Sequence, residues 1–182
     1  YDGQTGKELA RTDYIGREPL SQWGEAGLDI YALAHRASSS MMAIIYIDGK
    51  TPGLVICRGI YFRTKMVAYN FKNGNLTELW KFDSAEWPQE YRGQGNHNLS
   101  VGDVDQDGRD EIIYGSMTID HDGKGLYGTG LGHGDAMHVT DMNPDRPGLE
   151  VWQAHETSTG GSYRDARTGE ILHRYVANRD MG

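Results

Sequence analysis

The middle of the chain alternates apolar runs with short polar turns. From residue 41 to residue 83 the apolar runs are MMAIIYI, LVICRGIYF, KMVAYNF and LTELWKFD, all rich in β-branched and aromatic residues. Runs of this length and composition, bounded by turn residues, are typical of β-strands. Asn73 and Gly74 separate the last two runs, and both residues tolerate the positive φ angles of a tight hairpin. The pattern predicts an antiparallel meander of three or four strands.

Both ends of the chain carry a Thr-Gly turn signal. The segment YDGQTGKEL begins the chain, and YRDARTGEILHRY occupies residues 163–175. Each places Thr-Gly between an aromatic-led segment and a charged one, which predicts two equivalent β-hairpins with glycine at positive φ. Between the first hairpin and the meander, residues 13–34 contain Pro19, several glycines and Trp23. This composition favours a long loop with the tryptophan as its anchor.

An acidic segment occurs twice, 38 residues apart. VGDVDQDGRDEII at residues 101–113 is restated by VTDMNPDRPGLEVW at residues 139–152. A third, degenerate copy begins near residue 46 and shares the tripeptide PGL with the second, but it places Tyr46, Asp48 and Lys50 at the acidic positions. Internal repeats of about 40 to 50 residues, each a small antiparallel sheet, are typical of β-propeller blades.

We therefore expect an all-β chain that makes about three blades of a β-propeller. The blade-like units lie approximately at residues 40–95, 96–135 and 136–178, and residues 1–39 hold the end of a preceding blade and the long loop. Propellers close with about four to eight blades. Because three blades cannot bury their ends, we expect the complete protein to be longer.

The two intact acidic segments have the ligand chemistry of calcium loops. Hard oxygen ligands recur at alternate positions, Gly108 supplies a sharp turn in the first loop, and Arg109 offers its backbone carbonyl. The predicted ligands are Asp103, Asp105, Asp107, Arg109 and Glu111 in the first loop, and Asp141, Asn143, Asp145 and Glu150 in the second. An EF-hand is excluded because its twelfth position would be Tyr114 and a strand follows. We expect one calcium ion in each intact loop and none in the degenerate copy, with a solvated acidic turn as the alternative.

A second group of candidate ligands stands in glycine-rich loops at the edges of the blades. These residues are His97, His133, Asp135 and Glu156. Histidine and acid pairs in loops indicate metal binding or catalysis, so we predict one shared site, with ordinary polar turns as the alternative. The other histidines are interpreted as follows: His138 lies in a strand, His35 and His173 lie on the surface, and His121 is left open between a site residue and a solvated hairpin turn, with the turn preferred.

Composition narrows the classes of protein. The 182 residues can bury a core, and 25 glycines favour short strands and tight turns. A net charge of −8 without a basic stripe argues against nucleic acid as a partner, and no apolar run is long enough for a membrane span. Cys57 is single and lies in an apolar run, so we expect a buried thiol. Trp80 and Trp152 are predicted to lie in the core.

The motifs resemble a known family. GQGNHNLSVGDVDQDGRDEIIYGSMTIDHDGKGLYGTGLGHGDAMHVTDMNPDRPGLEVW, together with YDGQTGKEL, IDGKTPGL, RGIYFRT and WKFDS, resembles an internal part of the rhamnogalacturonan lyases of polysaccharide lyase family 11. The resemblance implies an eight-bladed β-propeller with several structural calcium ions. It also implies β-elimination at the rhamnose to galacturonate linkage of rhamnogalacturonan I in pectin, with active-site calcium ligands at His97, His133, Asp135 and Glu156. Residues 24–40 depart from the family pattern, and the family's basic arginine and lysine lie outside this chain.

The implied reaction removes the weakly acidic proton on C5 of a uronate. A divalent cation on the uronate carboxylate would stabilise the developing negative charge. A ligated imidazole is not free to act as a base, so His97 and His133 are assigned first to positioning the metal. A calcium-stiffened propeller that only binds carbohydrate or protein is the main alternative, and a quinone-dependent dehydrogenase propeller is a weaker one.

The expected partners are the pectic polysaccharide and the rest of the propeller chain, and we expect a monomer. The chain begins at Tyr1 without a methionine, which is typical of an internal piece or a processed product. We expect an extracellular protein, or a periplasmic one in a Gram-negative source, because the polymer is too large to be a cytosolic substrate.

Overall fold

The computed structural model describes residues 1–16, 18–158 and 160–178. Its strands form three four-stranded antiparallel sheets, each a meander of neighbours in chain order. The expected all-β class is confirmed. None of the helices in the described residues is long and apolar enough to span a membrane.

The first sheet contains the predicted meander. Its strands are β1 (Ser40–Ile45), β2 (Gly53–Arg58), β3 (Lys65–Lys72) and β4 (Asn75–Asp83). Asn73 and Gly74 join β3 to β4 with φ angles of 53° and 78°, as the hairpin signal predicted.

The second and third sheets follow the two acidic segments. The second consists of β5 (Ser100–Gly102), β6 (Glu111–Tyr114), β7 (Met117–Ile119) and β8 (Gly125–Gly128). The third consists of β9 (Gly134–Thr140), β10 (Glu150–His155), β11 (Gly160–Asp165) and β12 (Ile171–Val176). In both sheets the acidic loop connects the first strand to the second and ends on a glutamate that opens the second strand.

The second sheet lies between the other two. Successive residues of a strand point to opposite faces, and Ile112 packs with Met66 of the first sheet while Ile113 packs with Met137 and Val151 of the third. All five residues are almost completely buried. The three sheets therefore stack in chain order, with a separate apolar core in each interface.

Part of the predicted long loop is helical. α1 spans Ile30–Ser38, and a short 3-10 turn spans Leu20–Gln22. The helix begins where Asp29 accepts a hydrogen bond from the backbone of Ala32 at 2.8 Å, an N-cap that the glycine and proline content of the segment concealed. Trp23 is completely buried and does anchor this segment.

The two Thr-Gly turns are equivalent, but only one of them belongs to a hairpin. Asp2 accepts hydrogen bonds from the backbone and hydroxyl of Thr5 at 2.8 and 2.6 Å, and Asp165 accepts the same pair from Thr168 at 2.7 and 2.8 Å. Strands β11 and β12 flank the second turn, whereas no strand flanks the first among the described residues. The Asp2 N–H donates to the carbonyl of Lys7 at 2.8 Å, as that of Asp165 does to Glu170 at 2.9 Å, so the turn of the predicted first hairpin is present but its strands are not.

Three core predictions have different outcomes. Cys57 is buried, and burial raises its pKa to about 12, so the thiol is unreactive. Trp80 packs against the first core. Trp152 is 40% exposed on the outer face of the third sheet, opposite Tyr163 on the neighbouring strand, and its assignment to the core is wrong. The alternation along β10 turns this side chain away from the core.

Candidate metal centre

A contact between two loops assembles the candidate metal centre. Asn96 and Gly134 form an isolated parallel bridge, which places His97 beside Asp135 and leaves His133 on the other side of Gly134. A Cβ at Gly134 would lie 2.2 Å from the carbonyl oxygen of Ala154, so only glycine allows this approach. The bridge brings His97 near both Asp135 and His133, although it is far from them in sequence.

The four residues predicted to share a site are neighbours. Asp135 Oδ1 lies 3.3 Å from His97 Nε2 and 3.9 Å from His133 Nε2, and Glu156 Oε2 lies 3.2 Å from His133 Nε2. Ligand atoms of His97, His133 and Asp135 all lie within 4.8 Å of one another. The two imidazole rings are 4.9 Å apart and nearly perpendicular. This spacing suits three side chains around one cation, with Glu156 beside His133 at its edge.

The centre has a buried side and an open side. His133 is 2% exposed, whereas the side chains of His97 and Glu156 are 45% and 44% exposed. The backbone N–H groups of Glu156 and Thr157 donate to the carbonyl of His133 at 3.1 and 3.3 Å, which fixes Glu156 beside the imidazole. Mixed imidazole and carboxylate ligation fits a divalent cation, and it suits zinc or manganese at least as well as calcium.

Tyr61 belongs to this centre and was not predicted. Its ring lies 4.3 Å from the ring of His133 and 5.9 Å from that of His97, and its hydroxyl is 3.3 Å from His97 Nε2. Burial, with the nearby charges of Glu156 and Asp135, raises the pKa of Tyr61. The tyrosine stands in the motif RGIYFRT between β2 and β3, where no spacing rule links it to histidines of other sheets.

A cleft of about 530 Å³ opens beside the centre. Its charged lining residues are Glu25, Arg36, Arg92, His133 and Glu156. The guanidinium of Arg36 lies 5.5 Å from the ring centre of Tyr61, and its Nε is 3.3 Å from Glu25. The cleft therefore combines positive groups with two of the candidate metal ligands.

The first acidic loop gathers three of its predicted ligands. Ligand atoms of Asp103, Asp105 and Glu111 lie within 4.8 Å of one another. Glu111 is completely buried; its Oε2 accepts from the N–H of Val104 at 2.8 Å, while its buried Oε1 accepts no hydrogen bond. Burial, with the charge of Asp105 adding to it, raises the pKa of Glu111 to about 7. A buried carboxylate oxygen aimed into an acidic loop is the arrangement that a bound cation would stabilise.

His121 lies against this loop. Its Nδ1 is 3.6 Å from Asp107 and 3.7 Å from Glu111, and its side chain is only 16% exposed. The guanidinium of Arg109, a residue predicted to use its carbonyl, is 2.7 Å from His121 Nε2. His121 does lie at the turn that follows β7, but its side chain contacts the acidic loop, so the preferred solvated interpretation is wrong.

The second acidic loop does not gather its carboxylates. Glu150 is buried and accepts from the N–H groups of Met142 and Asn143 at 2.8 and 3.2 Å, as Glu111 does from Val104. Within the described residues, however, Asp141, Asp145 and Glu150 do not form a group of ligand atoms within 4.8 Å. Arg146 stands where the first loop has Gly108, and its guanidinium reaches Glu150 at 3.8 Å and Asp165 at 2.6 Å. This arginine supplies positive charge beside the buried glutamate.

The degenerate copy, which begins near residue 46, contacts the first acidic loop directly. The N–H of Tyr46 donates to Asp110 at 2.8 Å, and Gly49 approaches Gly108 so closely that a Cβ would lie 2.2 Å from its carbonyl oxygen. Asp48 accepts from the backbone of Lys50 and Thr51, which uses its carboxylate to close its own turn. This copy packs against the acidic loop as a support.

Comparison with known proteins identifies relatives of the whole chain. It is 49% identical over 187 residues to rhamnogalacturonan endolyase YesW of Bacillus subtilis and 51% identical to rhamnogalacturonan exolyase YesX of the same strain. The match covers 100% of this chain but only 29% and 30% of those relatives, so the chain spans less than a third of their length. One relative is named an endolyase and the other an exolyase, and the likeness of this segment does not choose between them.

Solved structures agree with the sequence comparison. The crystal structures of YesW and of the exotype lyase YesX superpose with TM-scores of 0.91 and 0.92 over 99% of this chain. A rhamnogalacturonan lyase of Bacillus licheniformis gives 0.91 at 50% identity. The family model of the C-terminal domain of rhamnogalacturonan lyase family 11 matches residues 1–182. The chain belongs to rhamnogalacturonan lyase family 11, within its C-terminal domain.

Proposed function

We propose that this chain forms part of the active site of an enzyme that cleaves the rhamnose to galacturonate linkage of rhamnogalacturonan I by cation-assisted β-elimination. The observation that carries the proposal is the convergence of His97, His133 and Asp135, with Glu156 beside His133, next to a cleft that contains two arginines. The names of the relatives support the same reaction and substrate.

In this mechanism the protein side chains orient the reacting sugar. His97 and Asp135 hold the open side of the centre, and buried His133 fixes its other side. When bound, a divalent cation supplies a Lewis acid for the uronate carboxylate, which stabilises negative charge as C5 loses its proton. The Nε2 atoms of both histidines face the carboxylates of Asp135 and Glu156, so we assign the histidines to ligation and leave the base to another group.

We propose calcium at this centre and in the first acidic loop. The buried Oε1 of Glu111 and the approach of Asp103 and Asp105 support the loop site. Calcium in the second loop requires Arg146 to leave Glu150, which makes that site the weaker of the two. Calcium at the histidine centre rests on the family, since imidazole suits other metals equally well.

We also propose that the three stacked sheets are consecutive blades of a β-propeller, with units at about residues 40–95, 96–135 and 136–178. Four-stranded antiparallel sheets that pack face to face in chain order support this architecture. The remaining blades would come from the rest of the chain in a monomer. Secretion, to the periplasm in a Gram-negative source, is proposed because the substrate is a large polymer.

The test uses the full-length protein and purified rhamnogalacturonan I. A lyase produces unsaturated uronyl ends, which absorb in the near ultraviolet, and activity should disappear on metal removal and return with calcium. Asp105→Ala is the control for a purely structural effect of metal removal. Because this residue belongs to the acidic loop and not to the histidine centre, the variant should lose stability but keep its turnover. Recovery with zinc but not with calcium would reassign the metal. Saturated ends would show that the enzyme hydrolyses the linkage and does not eliminate it. Binding without cleavage would support a non-catalytic carbohydrate-binding propeller.

A further inference from the structure

Arg92 is held rigidly at the cleft. It follows a 3-10 turn (Gln89–Tyr91); its N–H donates to the carbonyl of Gln89 at 3.0 Å, and its own carbonyl accepts from Gln94 Nε2 at 2.7 Å. Its Nη2 donates to the carbonyl of Ala85 at 2.8 Å, and its Nε approaches that of Ser84 at 3.4 Å. Both backbone and side chain are thus fixed before any ligand arrives.

The charge of Arg92 is not neutralised by the protein. Its hydrogen bonds go to uncharged carbonyls, and within the described residues no carboxylate lies within 4.0 Å of its guanidinium. The other cleft arginine, Arg36, is paired with Glu25 at 3.3 Å. Nη1 of Arg92 has no hydrogen-bond acceptor among the described residues, so it keeps its donors available.

When the formal charges of the cleft are counted, Arg92 carries the one positive charge that no negative group balances. At the proposed metal centre, the two carboxylates of Asp135 and Glu156 balance a divalent cation. Arg36 and Glu25 balance each other. Arg92, whose side chain is held by the carbonyls of Ser84 and Ala85, therefore adds one uncompensated positive charge to the cleft that His133 and Glu156 also line. A guanidinium binds a carboxylate through two parallel hydrogen bonds, which gives it both strength and orientation.

We propose that Arg92 binds the carboxylate of a second uronate of the polysaccharide, at a subsite next to the one where the metal binds the reacting uronate. The inference rests on the proposed function for the identity of the ligand. A polymer in which galacturonate recurs presents a carboxylate to both positions at once. Because Arg92 is already ordered, binding costs little side-chain entropy.

The test compares two forms of one ligand. Rhamnogalacturonan oligosaccharides are prepared by exhaustive digestion with an endolyase, the products that hold at least two galacturonates are retained, and half of these are carboxyl-reduced to remove their charge. Calorimetric titration of the full-length protein then measures both. Arg92→Gln should weaken binding of the native oligosaccharides about tenfold to a hundredfold, the range of a charge-assisted hydrogen bond, and leave binding of the reduced ones unchanged.

Two further variants complete the design. Arg92→Lys keeps the positive charge but loses the paired N–H donors of the guanidinium, so it should give an intermediate loss of affinity for the native oligosaccharides. Arg11→Gln removes an arginine whose side chain is 78% exposed and does not line the cleft, and it should change neither titration. An equal loss for native and reduced oligosaccharides, or no loss for either, would overturn the subsite. The appearance of unsaturated ends when the wild type acts on undigested rhamnogalacturonan I tests the proposed function independently, because it does not depend on Arg92.

Discussion

Replacing Glu111 by glutamine should change the stability of the protein in opposite directions with and without calcium. The carboxyl group is completely buried, and its Oε1 accepts no hydrogen bond. Burial raises its pKa from the ordinary value of 4.5 to about 7. Without a cation, the ionised form of Glu111 is therefore a destabilising group.

The magnitude follows from this shift. One pKa unit corresponds to about 1.4 kcal/mol, so ionising Glu111 in the metal-free protein costs about 3 kcal/mol of folding free energy. Because the folded pKa lies above the unfolded one, the cost is absent below pH 4.5, grows between pH 4.5 and about 7, and is complete above that range. Glutamine has nearly the same shape and no charge, so it avoids the cost.

Thermal unfolding of the full-length protein tests this reasoning. In chelator at pH 8, Glu111→Gln should melt above the wild type, and at pH 5 this advantage should shrink strongly. In excess calcium the order should reverse, because glutamine loses a charged ligand. Glu150→Gln is the matched control: its carboxylate accepts two N–H groups and lies near Arg146, so it should be destabilising in both solutions. If Glu111→Gln lowered the melting temperature equally with and without calcium, the metal assignment of this loop would be wrong.

Three other predictions concern the histidine centre. His133→Gln should reduce turnover by orders of magnitude and remove one calorimetric binding event for the cation, while the calcium-dependent gain in melting temperature remains; unchanged turnover would exclude the centre from the mechanism. Tyr61→Leu should weaken that same binding event about tenfold, the usual cost of losing a residue that orients metal ligands, whereas Tyr61→Phe keeps the ring contacts and should stay within about twofold in the same titration. Gly134→Ala should lower activity and stability together, by more than about 2 kcal/mol in denaturant unfolding, because its Cβ would meet the carbonyl of Ala154 at 2.2 Å.

Local patterns predicted the features that depend on neighbouring residues. Alternating β-formers and the Asn73-Gly74 pair fixed the meander, because strand propensity and turn conformation are properties of short segments. The alternate acids of the first loop converge for the same reason, since one tight turn brings them together. The Asp29 cap of α1 is equally local, and weighing it against the glycines would have identified the helix.

Contacts between sheets were beyond the reach of pattern reasoning. Tyr61 meets His97 and His133 only because the first and second sheets pack in one particular register. His121 contacts the acidic loop because strand β7 ends beside that loop. The spacing of residues in the sequence does not predict where a strand ends in space. Arg146 aligns with a glycine of the first loop, and a sequence alignment does not reveal that its guanidinium would turn inward to Glu150.

The histidine centre draws its residues from the connections of all three sheets. Tyr61 lies in the first, His97 precedes the second, and His133, Asp135 and Glu156 belong to the third. No single sheet carries the complete set, so the centre forms only when neighbouring sheets have docked in their native register. A newly synthesised or partly unfolded chain therefore lacks the candidate metal centre, and the proposed activity would require correct assembly between sheets.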